Sequence, residues 1–517
     1  MKKLNRFLRG LICILPLVLV FSYYPVISLG AGESMNFELS LPLIWLVVFD
    51  LVGLVALLRE RKFVLLMRNS RWRCLGVLLL PIFVSLSLIW SDNLVRGVLT
   101  CGVMWLVFLA VFVMVEFKQW FVEDEFRKIF WKWFFGSALL MCVWCILQCV
   151  LDVVGVSREY SLMCLGCSSY SFGFPHPNGF AIEPQFMGNL LLAPTITAAW
   201  MYVKKQNNKQ LEPEHSRGRV FHNKSGGAAP VFQYRTRAVA VVKNTSGSCS
   251  LSSNFLLFCF FYFTVTLFLV FSRGAIYAFF VALLFMSGFV VMRCKKNWKK
   301  VLRRVGMVWL SVVLGFLFTL NLQGIMTELG PTNDNYMDGV AKVLNQLSLG
   351  IIDIRNKNEK NMESLDIVEN PVENFETESE EIDKKADAVF DGYVEESTEI
   401  RKLMTRNAIK VWSRDFKTML FGVGIGGAGE AMYQAGLIST PKEIVQNEYA
   451  SLLLEIGIVG VVLAVFLLII VVCWVMKNNM NAGLVLTIIV AYGISLIFFS
   501  GFANALQIYL LPMLLAL

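Results

Sequence analysis

Long apolar runs separated by clusters of basic residues restrict the fold of this 517-residue chain more than any other feature. A bilayer core about 30 Å thick needs roughly 20 helical residues at a rise of about 1.5 Å each. Only 16% of the residues are charged, whereas soluble proteins average about 25%. The sequence therefore predicts an all-α, polytopic membrane helical bundle. Eleven apolar runs of suitable length lie near residues 8–29, 38–58, 74–90, 95–115, 132–151, 184–203, 255–271, 275–292, 305–322, 449–476 and 482–502, and a shorter twelfth candidate covers 504–517.

The basic residues alternate between the two sides of the predicted bundle. Lys and Arg remain on the cytoplasmic side of short loops. Four basic residues lie among the first nine, and every second connection is basic. The numbers of Lys and Arg residues are six in 59–73, four in 118–132, nine in 204–243 and seven in 293–304. This alternation predicts a multi-pass protein whose N-terminus is cytoplasmic.

Two connections are longer than a turn and divide the chain into parts. The first membrane part, 1–322, contains a cytoplasmic linker at 204–254 that is rich in Ser, Gly, Asn and basic residues. Residues 323–446 carry 22 of the 38 acidic residues and form a large extracytoplasmic loop, partly disordered or helical. An amphipathic pattern over 407–423 predicts a helix that packs on the bundle. Residues 447–517 are the C-terminal membrane helices.

Sequence motifs for nucleotides and metal ions are missing. The chain has no Gly-x-x-x-x-Gly-Lys-Ser/Thr loop and no Asp-x-Asp pair. Cys164 and Cys167 permit a disulfide on the predicted outer side, whereas a zinc site would need two further ligands. The five glycines within 422–429 lack the βαβ context of a dinucleotide site; a closely approached backbone, a nest for phosphate or sugar hydroxyls, or a plain turn are the alternatives. We expect no metal and no cofactor.

Three polar features lie at the outer ends of the predicted helices. Glu183 precedes Pro184, which is favoured at a helix start, so the carboxylate is either a helix cap or a functional group. Arg273 lies in a very short turn at membrane depth, where it must snorkel, pair with a carboxylate or bind an anion. Glu448 and Glu455 share one face at the start of the tenth run.

Carboxylates in such a place usually pair with basic groups. The arginines available on the predicted outer side are Arg273, Arg401, Arg406 and Arg414. A guanidinium also matches the geometry of phosphate oxygens. Asp50 is the acid placed well inside an apolar run, where it is either functional or hydrogen-bonded within the bundle.

Several short motifs, taken together, resemble those of the O-antigen ligase and Wzy-type polymerase family. They are Leu-Ile-Trp-Ser-Asp-Asn ending at Asn93, Glu-Pro at Glu183, Ser-Arg-Gly-Ala at Arg273, Leu-Phe-Gly-Val-Gly-Ile-Gly ending at Gly426, and Asn-Glu-Tyr at Glu448 followed by Leu-Glu-Ile-Gly-Ile-Val-Gly. The resemblance implies a C-type glycosyltransferase fold in the cytoplasmic (inner) membrane of a bacterium. It also implies a glycan donor carried on undecaprenyl pyrophosphate, a glycan acceptor and surrounding membrane lipids as partners, with no nucleic acid.

One residue departs from the family pattern. Many relatives, the ligases especially, have His before the Asn of the last motif, and this chain has Gln446, which accepts no proton at neutral pH. The departure favours a polymerase over a ligase. The resulting expectations are catalytic roles for Glu183, Glu448 and Arg273, and substrate-binding roles for Arg406, Arg414, His176, Gln446 and Asn447.

Transfer of lipid-linked oligosaccharide units onto a glycan acceptor is the function that these residues favour, with ligation to a lipid or protein acceptor as the alternative. A transporter or lipid-linked glycan flippase is the main rival from another class, although transporters place polar groups near mid-membrane in two related halves. A non-catalytic scaffold that binds cell-wall enzymes through the acidic loop is a third possibility.

Overall fold

The structure is a computed structural model of the chain without ligands. It describes residues 2–22, 26–30, 36–60, 71–154, 177–181, 184–208, 251–293, 298–330, 335–348, 400–441, 445–477, 482–498, 510 and 513.

Fifteen helices account for most of these described residues. They are α1 (Lys2–Val20), α2 (Leu41–Arg59), α3 (Arg71–Ser87), α4 (Leu94–Glu116), α5 (Asp124–Val153), α6 (Pro184–Asn208), α7 (Ser253–Leu269), α8 (Arg273–Arg293), α9 (Trp298–Leu329), α10 (Tyr336–Leu347), α11 (400–412), α12 (Phe416–Phe421), α13 (Ala428–Gln434), α14 (Glu448–Lys477) and α15 (Ala482–Ser495).

The predicted polytopic all-α bundle is confirmed. Seven helices of the described part are long and apolar enough to cross a membrane: α2, α4, α5, α6, α8, α9 and α14. Shorter apolar helices cover 76–90, α7 and α15. Together with α1, these helices coincide with the eleven predicted runs. The twelfth candidate, 504–517, lies outside the described residues except at positions 510 and 513.

A small β-hairpin replaces part of the first two predicted spans. Strand β1 (Val26–Gly30) pairs antiparallel with β2 (Asn36–Ser40), with Val26 opposite Ser40. The first span was predicted to continue to residue 29, but α1 ends at Val20. Phe21 and Ser22 form a bend after the helix, and β1 begins at Val26.

Described residues beside three of the connections that carry the predicted cytoplasmic charge lie at one end of the bundle, here called the basic end. Arg9 in α1 forms an ion pair of 2.6 Å with Glu123, which lies just before α5. Arg304 in α9 donates to the backbone carbonyl of Tyr202 in α6. The opposite end, here called the site end, contains the turns after α3, α7 and α15. The side of the membrane that each end faces stays a prediction.

Helix α6 is the central helix of the bundle. Its apolar segment is 89% buried. At the site end, a β-carbon placed on Gly188 would lie 2.6 Å from Cβ of Ser272, so α6 and the start of α8 are in close contact. The first turn of α6 is therefore fixed beside the turn that carries Arg273.

Candidate functional site

The turn that follows α15 is the point where three helix starts meet. The side-chain amide of Gln185, in the first turn of α6, donates to the carbonyl of Phe498. The backbone N–H of Glu448, the first residue of α14, donates to the carbonyl of Leu496 at 3.0 Å. A β-carbon on Gly274 would lie 2.7 Å from Cβ of Phe498. The structure thus brings the segments of the Glu-Pro, Ser-Arg-Gly and Asn-Glu-Tyr motifs to one place.

Arg401 connects helix α11 of the outer segment to this place. Its Nε donates to Oε1 of Gln446 at 2.7 Å, and its Nη2 donates to Oε1 of Gln185 at 3.2 Å. Sequence reasoning named Arg401 only as one of four cations and did not select it for the site. The sequence marks Arg401 only by its position on the predicted outer side. Its partners lie 45 and 216 residues away along the chain, so no short motif contains these contacts.

The turn before Arg273 has a strained backbone. Phe271 has φ +50°, the only positive φ of a non-glycine residue in the described part. Such a conformation costs about 1–3 kcal/mol and persists where packing over-determines it. Phe271 is buried against Val343 of α10. The carbonyl of Ser272 accepts the N–H of Ile276 at 2.9 Å, so α8 begins at Arg273.

A cavity of about 200 Å³ lies next to Arg273. Tyr277 forms part of its wall, and the Tyr277 hydroxyl donates to the carbonyl of Leu347 at 3.0 Å, which ties α8 to α10. Apart from the guanidinium, the lining is mostly apolar and aromatic. The Tyr277 hydroxyl is taken up by its hydrogen bond to Leu347. The lining residues are Phe268, Arg273, Ile276, Tyr277, Phe280, Phe316 and Leu347.

A buried loop rich in glycine packs against α14. This glycine loop, residues 422–427, has φ values of +73°, +92° and +77° at Gly422, Gly424 and Gly426. Helix α14 is interrupted at Gly457, where φ is +62° and ψ is −173°. The N–H groups of residues 423 and 424 donate to the carbonyls of residues 454 and 455, each at 2.9 Å. The N–H groups of the glycine loop therefore bond to carbonyls of α14 that lie just before the interruption of the helix.

Glu455 of α14 packs its backbone against the glycine loop, where its carbonyl accepts the N–H of Gly424 at 2.9 Å. Arg96 of α4 interacts electrostatically with its carboxylate. The sequence left open a nest for phosphate or sugar hydroxyls, a closely approached backbone or a plain turn. In the structure the backbone is closely approached: a β-carbon on Gly422 would lie 2.3 Å from the carbonyl oxygen of Glu455.

The turn between α3 and α4 holds the other side of the glycine loop. The Ser91 hydroxyl donates to the carbonyl of Ile425 at 2.8 Å, and the N–H of Ile425 donates to the Ser87 hydroxyl at 3.1 Å. Asn93 caps α4 by accepting the N–H of Arg96 at 3.0 Å. Residues in and beside the Leu-Ile-Trp-Ser-Asp-Asn motif therefore hold the glycine loop in place through hydrogen bonds to Ile425.

Charged groups beside this support have shifted pKa values. Burial raises the pKa of Asp92 above its ordinary value, although Arg414 and Lys417 act against that shift. The pKa of Asp415 is lowered, chiefly by the hydrogen bond from the backbone N–H of Thr418. Asp415 is the N-cap of α12, and it also pairs with Arg414 at 3.1 Å.

The remaining predicted site residues differ in their surroundings. Glu448 is buried, with 7% of its surface exposed. The side chain of Asn447 accepts the N–H of Ala450 at 3.2 Å and so caps α14. Arg406 and Arg414 are exposed on the outer segment, and Arg414 pairs with Asp415.

Several sequence predictions concern residues that the structure does not describe or does not test. Glu183, His176 and the Cys164–Cys167 pair lie outside the described residues. Asp50 is 2% exposed, and neither carboxylate oxygen has a hydrogen-bond partner in the described part, so the alternative of hydrogen bonding within the bundle is not supported there. The described residues contain no group of three or more His, Cys, Asp or Glu side chains able to hold a metal ion.

The predicted amphipathic helix over 407–423 is two helices. Helix α11 ends at 412, and α12 begins at Phe416 after the cap at Asp415. Phe416 was expected on the packed face but is 75% exposed, whereas Ala408 and Val411 are buried. The N-cap starts a new helix with a different direction, so one helical period does not describe both segments.

Comparison with known proteins identifies part of the chain. Residues 258–465 match a family model described as O-antigen ligase. The match begins in α7 and ends in α14, so it includes Arg273, Arg401, the glycine loop and Glu448. The family resemblance expected from the motifs is thereby confirmed. Comparisons with curated proteins and with solved structures gave no match.

Proposed function

We propose that this protein transfers a glycan from undecaprenyl pyrophosphate to a hydroxyl group of a glycan acceptor, because residues 258–465 match the O-antigen ligase family model. The family supports ligase- or polymerase-type activity in a multi-pass bacterial membrane protein. The finer proposal is polymerisation of oligosaccharide units at the outer face of the cytoplasmic membrane. The site end is then the extracytoplasmic end.

The observation that carries this proposal is that the segments bearing Glu448, Arg401 and Arg273 converge at the turn after α15. Glu448 is bonded through its N–H to Leu496. Arg401 is bonded to Gln185, which itself bonds to Phe498. Arg273 is adjacent to Gly274, which packs on the same turn. A base and cations close together are the groups that a glycosyl transfer from a diphosphate requires.

The chemistry balances without a nucleotide. The acceptor oxygen attacks the anomeric carbon of the donor, and the bond between that carbon and the diphosphate oxygen breaks. The diphosphate leaves with the electron pair, and Arg273 and Arg401 offset its charge. The hydroxyl proton moves to a carboxylate. Glu448 is the carboxylate of the described site that we assign to this role, and Glu183, one residue before α6, is the second candidate.

The cavity beside Arg273 fits the donor lipid. An apolar and aromatic wall suits an isoprenoid chain, and the guanidinium beside it suits a phosphate. A donor whose first isoprenoid units enter the cavity would have its diphosphate next to Arg273. This arrangement favours a lipid-linked donor over a soluble one.

The environment of Gln446 favours a polymerase over a ligase. Gln446 occupies the position where many ligases have His, and it accepts a hydrogen bond from Nε of Arg401. An amide at this position orients a cation and takes no proton. The flippase alternative is not favoured, because the described charged residues of the site gather at one end of the bundle rather than near its middle.

Electrophoresis of surface glycans from a deletion strain tests the activity. A polymerase predicts single repeat units on the acceptor, and a ligase predicts full-length chains that remain on the lipid carrier. Wild-type glycan in the deletion strain would contradict both.

Substitution of Arg273 tests the site. Arg273→Ala removes charge-assisted hydrogen bonds to the diphosphate worth about 1.5–3 kcal/mol, so polymer formation should fall roughly 10- to 150-fold at wild-type protein abundance. Arg293→Ala is the matched control, because Arg293 ends the same helix at the basic end and lies over the ring of Phe289. Normal chain length in Arg273→Ala would remove this arginine from the site.

A further inference from the structure

Three cations lie on the first two turns of α9, at the basic end of the bundle. Lys299, Lys300 and Arg303, here called the α9 patch, are exposed. None of them forms an ion pair with a residue that the structure describes. Lys299 and Arg303 are four residues apart, so their charges are neighbours on the helix surface and repel each other. An anion bound to the α9 patch would offset this repulsion.

Acidic residues are rare in this part of the bundle. Among the described residues of α6, α7, α8, α9 and α15, Glu328 is the single acid, and it lies roughly 40 Å from the α9 patch along the helix axis. At the start of α5, Glu123 pairs with Arg9 at 2.6 Å, and Asp124 pairs with an arginine one turn further on. Glu125 forms no ion pair with the α9 patch. The α9 patch is therefore a local surplus of positive charge.

Arg304 ties the start of α9 to the bundle. Its guanidinium donates to the carbonyl of Tyr202 in α6 and also lies over the ring of that tyrosine, 5.1 Å from the ring centre. Arg304 is only partly exposed, whereas the α9 patch is exposed. The backbone below the α9 patch is thus held in place, and its cationic groups face outward.

An apolar surface continues from the α9 patch along the same face of the helix. Leu310, Leu314 and Leu317, here called the leucine stripe, are 48%, 50% and 54% exposed. At about 100° per residue, they lie within roughly 60° of Lys299 and Arg303 around the helix axis. One face of α9 therefore presents cations at the end of the bundle and exposed apolar side chains further along the helix.

We propose that this face of α9 binds an anionic phospholipid, with the headgroup phosphate on Lys299 and Arg303 and an acyl chain along the leucine stripe. Cations beside a membrane helix attract anionic headgroups. A soluble phosphate would match the charge but would gain nothing from the leucine stripe. Trp298 also favours the lipid, because it is 48% exposed, lies 5.9 Å from Nζ of Lys299, and belongs to a residue type enriched at membrane interfaces.

The lipid site is separate from the proposed transfer site. Arg273 begins α8 at the site end, whereas the α9 patch follows the other end of α8 along the chain. Lipid binding can therefore be measured without glycan donor or acceptor, and its outcome does not depend on the proposed function.

Fluorescence anisotropy of labelled lipids tests the site in the full-length protein, purified in a neutral detergent. Phosphatidylglycerol is the anionic lipid and phosphatidylcholine the neutral one. Each Lys or Arg near an anionic lipid surface contributes about fivefold in affinity, so Lys299→Gln/Arg303→Gln should weaken phosphatidylglycerol binding roughly 25-fold and leave phosphatidylcholine binding unchanged. Arg6→Gln/Lys128→Gln is the matched control, because it removes the same charge from exposed positions on α1 and α5. Its phosphatidylglycerol affinity should equal that of the wild type.

Three results would overturn the proposal. Equal affinity of the wild type for the two lipids would show that the α9 patch does not distinguish the headgroup charge. Equal losses in the two double variants would assign the preference to the overall charge of the protein. Displacement of phosphatidylglycerol by an equal concentration of inorganic phosphate would make a soluble anion the ligand.

The wild-type protein keeps the proposal testable if the double variant folds poorly. Salt screens exposed charges, so phosphatidylglycerol binding should weaken as the ionic strength rises while phosphatidylcholine binding stays constant. An equal response of both lipids to salt would refute a contact between the headgroup and the α9 patch. Thermal unfolding in phosphatidylcholine nanodiscs checks the fold of the double variant. It should be at least as stable as the wild type, since its substitutions remove a repulsion.

Discussion

Replacement of Gly457 by alanine should uncouple the outer part of α14 from the glycine loop. The backbone at Gly457 has φ +62° and ψ −173°. A side chain at this position meets the carbonyl of Leu420 and the N–H of Gly422. Alanine can respond in two ways, either by keeping this backbone under strain or by adopting a helical backbone that straightens α14.

Both responses cost free energy. Keeping the backbone costs about 1–3 kcal/mol for the conformation, before the overlap with Leu420 is counted. Straightening α14 stabilises the helix itself by about 1 kcal/mol, since alanine forms helix more readily than glycine. It also breaks the two backbone bonds from the loop, worth about 0.5–1.5 kcal/mol each. We therefore expect a net destabilisation of about 1 kcal/mol, set by the cheaper of the two responses.

Thermal unfolding of the purified protein and glycan transfer by the same sample measure the effect. Gly457→Ala should lower the unfolding temperature and reduce transfer per folded molecule. Gly306→Ala is the matched control, because Gly306 lies in membrane helix α9 with no atom within 4 Å of an added β-carbon. Wild-type stability and transfer in Gly457→Ala would refute the argument that the interruption supports the site.

Two further predictions concern the cavity and the cap of α12. Phe280→Trp should fill part of the cavity and raise the donor KM, whereas Phe285→Trp, on the same helix but 37% exposed, should not; equal KM values in kinetic assays would exclude the cavity as the donor site. The lowered pKa of Asp415 means that its capping stabilises α12 fully above the unfolded value of about 3.9 and is lost as the pH falls through the lower folded pKa. The protection factor of the Thr418 amide, which is the intrinsic exchange rate at each pH divided by the observed rate, should therefore fall at acid pH, and Asp415→Asn should abolish this pH dependence; an unchanged dependence in the variant would contradict the assignment.

Hydropathy was sufficient to locate the membrane helices because their lengths are set by the bilayer. It failed where polar residues are buried between helices. The ninth run was predicted to end at residue 322, yet α9 continues to Leu329. Gln323 and Thr327 are fully buried there, and a β-carbon on Gly339 of α10 would lie 2.5 Å from the Thr327 hydroxyl. A hydropathy window treats such residues as a loop.

The site was predictable in its motifs but not in its connections. The motifs identified Arg273 and Glu448, and their segments meet in the structure at the turn after α15. The contact of Arg401 with Gln185 and Gln446 joins segments that no local pattern relates. Gly457 lies within the most apolar of the candidate spans and looks like an ordinary glycine of a membrane helix. Its positive φ follows from the glycine loop, which folds from residues more than 30 positions earlier.

The interruption in α14 also affects how the protein responds to its lipid surroundings. A membrane helix tilts when the thickness of the bilayer changes, at a cost of a fraction of a kcal/mol per Å of mismatch. The segment of α14 before Gly457 is held to the glycine loop through the carbonyls of Leu454 and Glu455, whereas the segment after Gly457 makes no such bond to the loop among the described residues. We therefore expect rotation at Gly457 to take up tilting of the later segment. The geometry around Glu448 would then change little with membrane thickness.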